Sequence, residues 1–211
     1  MKKYIAEAAG TFGLVFCGTG AVITDELFPG TVTHVGVAIT FGLVVMAMIY
    51  AFGESSGAHL NPAVTIAFSI NRGFPVRQIT AYILSQGAGA LLASLLLKFL
   101  FPASVLLGAT LPSGSAAQSF IMEVVLSFLL MIVIFQVANG SKEQGLFAGI
   151  AIGSVVLLEA MFAGPVSGAS MNPIRSLAPA LVSGQLQHIW IYLTAPVMGM
   201  TGASFLHNAI K

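Results

Sequence analysis

Charged side chains are scarce in this chain of 211 residues. Aspartate, glutamate, lysine and arginine make up 7% of it, whereas a soluble domain carries roughly 25%. So little charge cannot coat a surface that faces water, and hydrophobic residues reach 57%. The composition therefore predicts a membrane protein of one domain, residues 1–211.

The net charge is close to zero, and the chain has a single cysteine. A formal net charge of +1 provides no field for binding nucleic acid or other polyanions. The one cysteine, Cys17, cannot form an intramolecular disulfide, and without a second thiol a zinc or redox site is not expected. We also find no nucleophile, metal cluster or acid–base pair for an enzyme mechanism. We therefore expect no metal, no cofactor, no nucleic-acid partner and no catalysis.

Six apolar runs are long enough to cross a bilayer, which takes about 20 helical residues. They are separated by glycine, proline, serine and polar clusters. The first is interpreted as a span rather than a signal peptide, because five more follow it. The runs cover residues 5–23, 32–52, 79–101, 117–137, 146–162 and 189–206. Six spans place both termini on one face of the membrane.

Two connections end in apolar stretches of about ten residues, within 57–68 and 168–179. Such stretches are too short to cross a bilayer and too apolar to stay in water, which predicts re-entrant half-helices. Asparagine is a favoured N-cap, and proline is favoured at the first helical position. Asn61-Pro62 and Asn172-Pro173 are therefore predicted to begin the half-helices, after unwound backbone at 55–60 and 166–171.

The chain contains an internal repeat. Asn61 and Asn172 are 111 residues apart, and a Glu-x-x-x-Thr/Ser-Phe pattern at Glu7 recurs 116 residues later at Glu123. The two copies cover about 1–105 and 116–211, with three spans each. Since three is odd, the second copy must be inverted, and a site is expected at the midplane. The predicted fold is an all-α membrane protein with six transmembrane helices and two half-helices in an inverted repeat.

This arrangement has an electrostatic consequence. A helix start carries roughly half a positive elementary charge, and two starts that face each other near the bilayer centre would repel cations and protons. The asparagine amides and the unwound carbonyls would line a path for water and neutral solutes, because non-helical backbone is tolerated where it borders a water-filled cavity. Glu7 and Glu123 occupy repeat-related positions, and we expect each to accept hydrogen bonds from the unwound loop of its own half.

Basic residues indicate the orientation, since they favour the cytoplasmic side. One face carries Lys2, Lys3, Arg72, Arg77, Lys142 and Lys211. We therefore expect a multi-pass protein of the cell membrane with both termini on the cytoplasmic side. Aromatic residues and histidines near span ends are expected at the membrane interfaces; they include Tyr82, Trp190, Tyr192, His34 and His207. Glycines predicted to bring helices into close contact include Gly42, Gly87, Gly89, Gly145, Gly149 and Gly153.

The paired motifs support a resemblance. Gly57-Ala-His-Leu-Asn-Pro-Ala-Val-Thr65 and Gly168-Ala-Ser-Met-Asn-Pro-Ile-Arg-Ser176 resemble the signature of the aquaporin and glycerol-facilitator family, the major intrinsic proteins. Their wording is closest to the nodulin-like intrinsic proteins. The resemblance covers nearly the whole chain and implies the aquaporin fold, a pore in each protomer and a homotetramer in membrane lipid. The second motif departs from the family pattern, because it has Ile174 where the first motif has Ala63. We expect the larger side chain of Ile174 to lie where the half-helices meet.

The resemblance also implies the residues of the site. The motif residues are Asn61, Pro62, Ala63, Asn172, Pro173 and Ile174. The selectivity constriction is expected at Phe41, Ala160, Ala169 and Arg175. The pore-lining backbone carbonyls are expected at Gly57, Ala58, His59, Gly168, Ala169 and Ser170.

The residues of this expected constriction indicate which solutes would pass through the pore. Water-selective relatives commonly have histidine at the place of Ala160, so alanine there and at Ala169 indicates a wider, less polar ring. We expect a passive channel for water and small uncharged solutes such as glycerol, urea, boric acid or arsenous acid. Ser176 stands where glycerol facilitators usually have aspartate, so an ordinary glycerol facilitator is not expected. The alternatives are a mainly water-selective channel and, less favoured, a proton-coupled secondary transporter.

Overall fold

The computed structural model describes residues 1–71, 73–138 and 140–210. Within these ranges the regular structure is entirely helical. Arg72 and Lys211, used above to predict the orientation, lie outside the described residues. The elements are α1 (Lys2–Leu27), α2 (Thr33–Ser56), α3 (Pro62–Ile70), a short 3-10 helix (Val76–Gln78), α4 (Ile79–Leu100), α5 (Ala116–Ala138), α6 (Lys142–Leu146), α7 (Ala148–Ser167), α8 (Pro173–Ser183) and α9 (Ile189–Ile210).

Six of these helices are long and apolar enough to span a membrane: α1, α2, α4, α5, α7 and α9. The shortest, α7, has 20 residues, which at 1.5 Å per residue is about 30 Å, the thickness of the hydrocarbon core. By contrast, α3 has 9 residues and α8 has 11, so neither can cross. The prediction of six spans and two half-helices is confirmed.

Helices α2 and α7 extend further than predicted at their C-terminal ends. They continue to Ser56 and Ser167, so the non-helical stretches begin at Gly57 and Gly168 rather than at residues 55 and 166. Both glycines have a left-handed φ, +86° and +87°. A glycine in this conformation ends a helix without steric cost, which explains the shared boundary.

Helix α7 continues through Pro165 although its span was predicted to end at residue 162. Proline lacks the N–H that would bond the carbonyl four residues earlier, here that of Met161. Nε2 of the His34 ring lies 2.6 Å from the Met161 carbonyl oxygen and donates the hydrogen bond that the proline cannot. This contact, from a residue 127 positions away in sequence, replaces the helical hydrogen bond that Pro165 cannot make.

Helix packing repeats between the two halves. In one half α1 packs against α2 and α4, and in the other α5 packs against α7 and α9. A Cβ atom on Gly89 would lie 2.0 Å from the carbonyl oxygen of Ala8, and one on Gly199 would lie 2.2 Å from that of Val124. Each half is therefore held by one helix pair in backbone contact, where no side chain fits.

Helices α2 and α7 join the two halves. A Cβ atom on Gly42 would lie 2.7 Å from the carbonyl oxygen of Gly153, and one on Gly153 would lie 2.6 Å from that of Gly42. Gly149 packs against the ring of Tyr50. Gly145 differs from the prediction: it lies in α6 and has no neighbouring atom that a Cβ would meet. The half-helices α3 and α8 each contact both α4 and α9, so each is supported by helices of both halves.

We predict that Gly89→Ala destabilises the protein by about 1–3 kcal/mol, the usual cost of overpacking, because the added methyl would overlap the backbone of Ala8. Thermal unfolding in detergent, followed by size-exclusion chromatography, measures this. The matched control is Gly53→Ala, in helix α2, where a Cβ would meet nothing within 4 Å. Equal melting temperatures for the two variants would contradict backbone contact between α1 and α4.

Candidate functional site

The two half-helices begin in the same way. Asn61 Oδ1 accepts from the backbone N–H of Ala63 at 2.9 Å, and Asn172 Oδ1 accepts from that of Ile174 at 3.1 Å. A proline follows each asparagine at the first helical position. Both asparagines therefore cap their half-helices, as the motif predicts.

The two caps are also joined across the repeat. Asn61 Nδ2 donates to the carbonyl oxygen of Met171 at 2.8 Å. Reciprocally, Asn172 Nδ2 donates to that of Leu60 at 2.9 Å. Each acceptor directly precedes the other asparagine, so the two helix starts lie side by side. An amide NH₂ group has two hydrogens, so each asparagine keeps one donor beyond this link.

The side chain of Ile174, at the start of α8, reaches helix α4. A Cβ atom on Gly87 in α4 would lie 3.6 Å from Ile174 Cδ1, which places the side chain against that helix. The absence of a side chain at Gly87 leaves room for it. The reciprocal asparagine bonds have ordinary lengths, and both Ile174 and the first-motif residue Ala63 are buried.

Glu7 binds the backbone of the first unwound loop. Its Oε1 accepts from Ser56 Oγ at 2.7 Å and from the N–H of His59 at 2.9 Å. Its Oε2 accepts from the N–H of Leu60 at 2.8 Å and from Gln86 Nε2 at 2.7 Å. Four donors therefore surround a carboxylate that is fully buried. Sequence analysis did not identify Gln86, which has no counterpart in a recognised motif.

Glu123 makes equivalent contacts in the second half. Its Oε1 accepts from Ser167 Oγ at 2.8 Å and from the N–H of Ser170 at 2.9 Å. Its Oε2 accepts from the N–H of Met171 at 2.8 Å. The same three loop positions are bonded in each half, so the repeat extends to individual hydrogen bonds.

Two tyrosines that were predicted to face the membrane interfaces instead bind the ends of the helices that precede the loops. Tyr82 and Tyr192 are buried, and their hydroxyls donate to the carbonyls of Ser56 and Ser167 at 2.8 and 2.6 Å. The two tyrosines are 110 residues apart, close to the 111 residues between the asparagines. This spacing could have identified them as repeat-related from the sequence. His207 is also buried and stacks on Phe135, whereas Trp190 is exposed.

The unwound loops hold strained backbone. Ala58 and Leu60 have φ values of +45° and +50°, and the equivalent Ala169 and Met171 have +41° and +52°. Left-handed conformations at residues other than glycine cost of order 1–3 kcal/mol each and persist only when the surroundings enforce them. Among the described residues we find no hydrogen bond to the carbonyls of the six predicted positions: Gly57, Ala58, His59, Gly168, Ala169 and Ser170.

Two cavities lie along these loops. The large cavity, about 470 Å³, extends from the end of α2 and the start of α7 past Asn61 and Asn172. The small cavity, about 280 Å³, is lined by the end of α1, the start of α2 and the 106–111 segment. Each of the six carbonyl-bearing residues lines one or both. The residues that line both cavities are Phe41, Ala160, Ala169 and Arg175.

Arg175 is held rigidly at this junction. Its Nη1 donates to the carbonyl oxygen of Gly108 at 2.9 Å, and its guanidinium carbon lies 4.9 Å from the ring centroid of Phe41, within cation–π range. Only 4% of the residue is exposed. Gly108 belongs to the connection between α4 and α5, to which sequence analysis assigned no role, because a backbone carbonyl leaves no signal in the sequence.

Comparison with known proteins agrees with this geometry. A family model described as Major intrinsic protein matches residues 1–207. The chain belongs to the major intrinsic protein family. The members of this family are channels rather than enzymes.

The similar major intrinsic proteins include nodulin-like members from plants. Aquaporin NIP1-1 of Zea mays is 48% identical over 212 residues, covering 100% of this chain and 75% of its own. Nodulin-26 of Glycine max is 44% identical over 212 residues, covering 100% and 78%. The solved aquaglyceroporin from Plasmodium falciparum has a TM-score of 0.91 at 24% identity, covering 99% of this chain and 96% of its own, which shows a shared fold.

A third buried glutamate in this major intrinsic protein provides a contrast. Glu159 is 1% exposed, and neither of its carboxyl oxygens has a hydrogen-bond partner among the described residues. It lies one position before Ala160 in α7 and lines neither cavity. Burial of a glutamate therefore does not by itself identify a loop contact in this fold.

We predict that Glu123→Gln lowers the free energy of unfolding by about 1–3 kcal/mol, because an amide has one acceptor atom and leaves a buried backbone N–H unpaired. Thermal unfolding in detergent measures the change. Glu159→Gln is the matched control, a buried glutamate without loop bonds, and is expected to cost less than Glu123→Gln. Equal losses in the two variants would argue against the loop contacts as the source of stability.

Proposed function

We propose that this major intrinsic protein is a passive channel for water and small uncharged solutes, such as glycerol, urea or neutral metalloid acids, and that it excludes ions and protons. The observation that carries the proposal is that the two cavities share four lining residues. The residues common to both are the four expected at the constriction: Phe41, Ala160, Ala169 and Arg175. A continuous path through the protein would have to pass between them.

The side chains at this constriction support passage of solutes larger than water. Ala160 and Ala169 contribute one methyl group each, and Phe41 contributes an apolar ring. Arg175 contributes the polar wall, with its charge partly balanced by the Gly108 carbonyl and the Phe41 ring. Such a ring has one donor side and three small or apolar sides, which suits a solute that carries hydroxyl groups on a short carbon chain or a compact acid. A mainly water-selective channel is the alternative.

Exclusion of cations follows from the linked helix starts. The N-termini of α3 and α8 are joined by the reciprocal asparagine bonds, so their partial positive charges lie together. A cation on this path would also meet Arg175 at the junction. A neutral solute meets neither barrier, and it can exchange its water for the remaining asparagine donors and the free carbonyls of the loops.

Proton-coupled transport is less well supported. A coupled transporter built on the two repeat-related glutamates would need them to face the path and to change their partners. The carboxylate oxygens of Glu7 and Glu123 are bonded to loop donors, and neither residue lines either cavity. Their role in this proposal is to hold the loop carbonyls in place.

We further propose that the chain is a multi-pass protein of the cell membrane, with both termini cytoplasmic, and that four copies form a homotetramer. The basic residues near one face support the orientation. Six apolar helices support insertion in lipid. Similarity to plant proteins named as aquaporins, and to a solved aquaglyceroporin, supports water and small polyols as permeants.

Stopped-flow light scattering on vesicles that contain the purified protein tests the proposal. Water, glycerol, urea, boric acid and arsenous acid are compared with empty vesicles, with and without a protonophore. We expect faster flux of water and of at least one solute, unchanged by the protonophore. Acceleration of water alone would favour the water-selective alternative, and protonophore-sensitive flux would favour coupled transport.

We predict that Ala160→His lowers the solute flux at least several-fold more than the water flux, because the imidazole narrows the junction and adds a polar group there. The same vesicle assay measures both rates. Ser154→His is the matched control, on the same helix but exposed and lining neither cavity. If Ala160→His reduces both rates equally, or leaves both unchanged, residue 160 does not set the width of the constriction.

A further inference from the structure

The contact between His34 and α7 determines which ring nitrogen carries hydrogen. Because Pro165 has no N–H, the Met161 carbonyl lacks its helical donor. His34 Nε2 lies 2.6 Å from that oxygen. A carbonyl oxygen only accepts, so Nε2 must be the donor and must carry the hydrogen. In the neutral ring the other nitrogen, Nδ1, is then an acceptor.

Gly164 makes this position of the ring possible. A Cβ atom on Gly164 would lie 2.7 Å from His34 Cε1, closer than atoms can approach. The glycine therefore opens space beside the helix, and the adjacent proline leaves a carbonyl for the ring to bind. Two consecutive residues of α7 thus seat one imidazole in one orientation.

The acceptor nitrogen is available to a ligand. His34 lines the small cavity, and among the described residues Nδ1 has no hydrogen-bond partner and is not among the buried unpartnered atoms. The charged side chains that line the same cavity are Asp25 and Arg175. Asp25 Oδ1 is occupied by the backbone N–H of Thr33 at 2.8 Å. The small cavity therefore offers a guanidinium donor and a ring-nitrogen acceptor beside the proposed constriction.

We propose that His34 Nδ1 accepts a hydrogen bond from a hydroxyl group of the permeating solute in the small cavity, and so helps to determine which solutes reach the constriction. The inference rests on the proposed function and assigns the solute class as neutral molecules with O–H donors. A solute that enters the constriction gives up part of its water shell, and the ring nitrogen replaces one lost bond. Water, which is smaller, keeps neighbouring waters in single file and gains less.

The test uses the vesicle assay with glycerol, which has three hydroxyl donors, and water. His34→Phe keeps an aromatic ring and removes both nitrogens. We expect the ratio of glycerol to water permeability to fall about fivefold, the effect of one ordinary hydrogen bond. His188→Phe is the matched control, a half-buried histidine that lines neither cavity, and should leave the ratio unchanged.

A double variant separates the acceptor from the structural role of His34. His34→Phe also removes the partner of the Met161 carbonyl, and Pro165→Ala returns a backbone donor to it. If His34 acts only by supporting α7, the double variant recovers the wild-type ratio, which would overturn the inference. If Nδ1 binds the solute, the double variant folds with wild-type stability and the ratio stays low.

Nitrogen NMR of the ¹⁵N-histidine-labelled protein, assigned with the His34→Phe variant, reads the ring directly. We expect Nε2 protonated and Nδ1 unprotonated, with the Nδ1 signal shifting when glycerol is added. A protonated Nδ1 would overturn the inference while leaving the proposed function intact. A wild-type protein that passes water but no glycerol, urea or neutral acid would instead overturn the solute-channel proposal, and the inference with it.

Discussion

The structure depends on the reciprocal hydrogen bonds between the two half-helix starts. Both starts carry partial positive charge, so they repel each other when they approach from opposite faces. The asparagines offset this by combining two functions in one side chain. The oxygen of each caps its own helix, and the nitrogen binds the carbonyl next to the other asparagine. The proposed barrier to cations and the support for the short helices therefore involve the same two residues.

This link places strict demands on the loops behind it. Leu60 and Met171 must present their carbonyls to the asparagines while their own backbone is left-handed. Glu7 and Glu123 enforce that conformation because each carboxylate binds the N–H of the same residue, at 2.8 Å in both halves. A buried carboxylate is costly without such donors. The loop therefore satisfies the glutamate as much as the glutamate holds the loop, which explains why both halves retain the pair.

Local rules predicted the parts of the fold that depend on neighbouring residues. The spans follow from hydrophobicity, and the half-helix starts follow from Asn-Pro, because capping involves atoms only two positions apart. Several of the failures involve distant partners. The span of α7 was predicted to end at residue 162, whereas the helix continues through Pro165 with His34 against it. Tyr82 and Tyr192 were predicted at the interfaces because their loop acceptors leave no local signal. Gly108 acts through a carbonyl that every residue has. The four constriction residues came from family resemblance, since no local pattern distinguishes them.

Glycines outside the proposed constriction position the helices that carry its walls. Gly42 and Gly153 bring α2 and α7 into backbone contact, and they lie one position after Phe41 and seven before Ala160. On the other side of α2, a Cβ on Gly18 would lie 2.2 Å from Phe41 Cε1, so the ring occupies space that any side chain at position 18 would take. The Phe41 ring thus packs against α1, while its own helix, α2, is in backbone contact with α7. A larger residue at Gly18 would displace the Phe41 ring and so change one wall of the proposed constriction, without any change in its four residues.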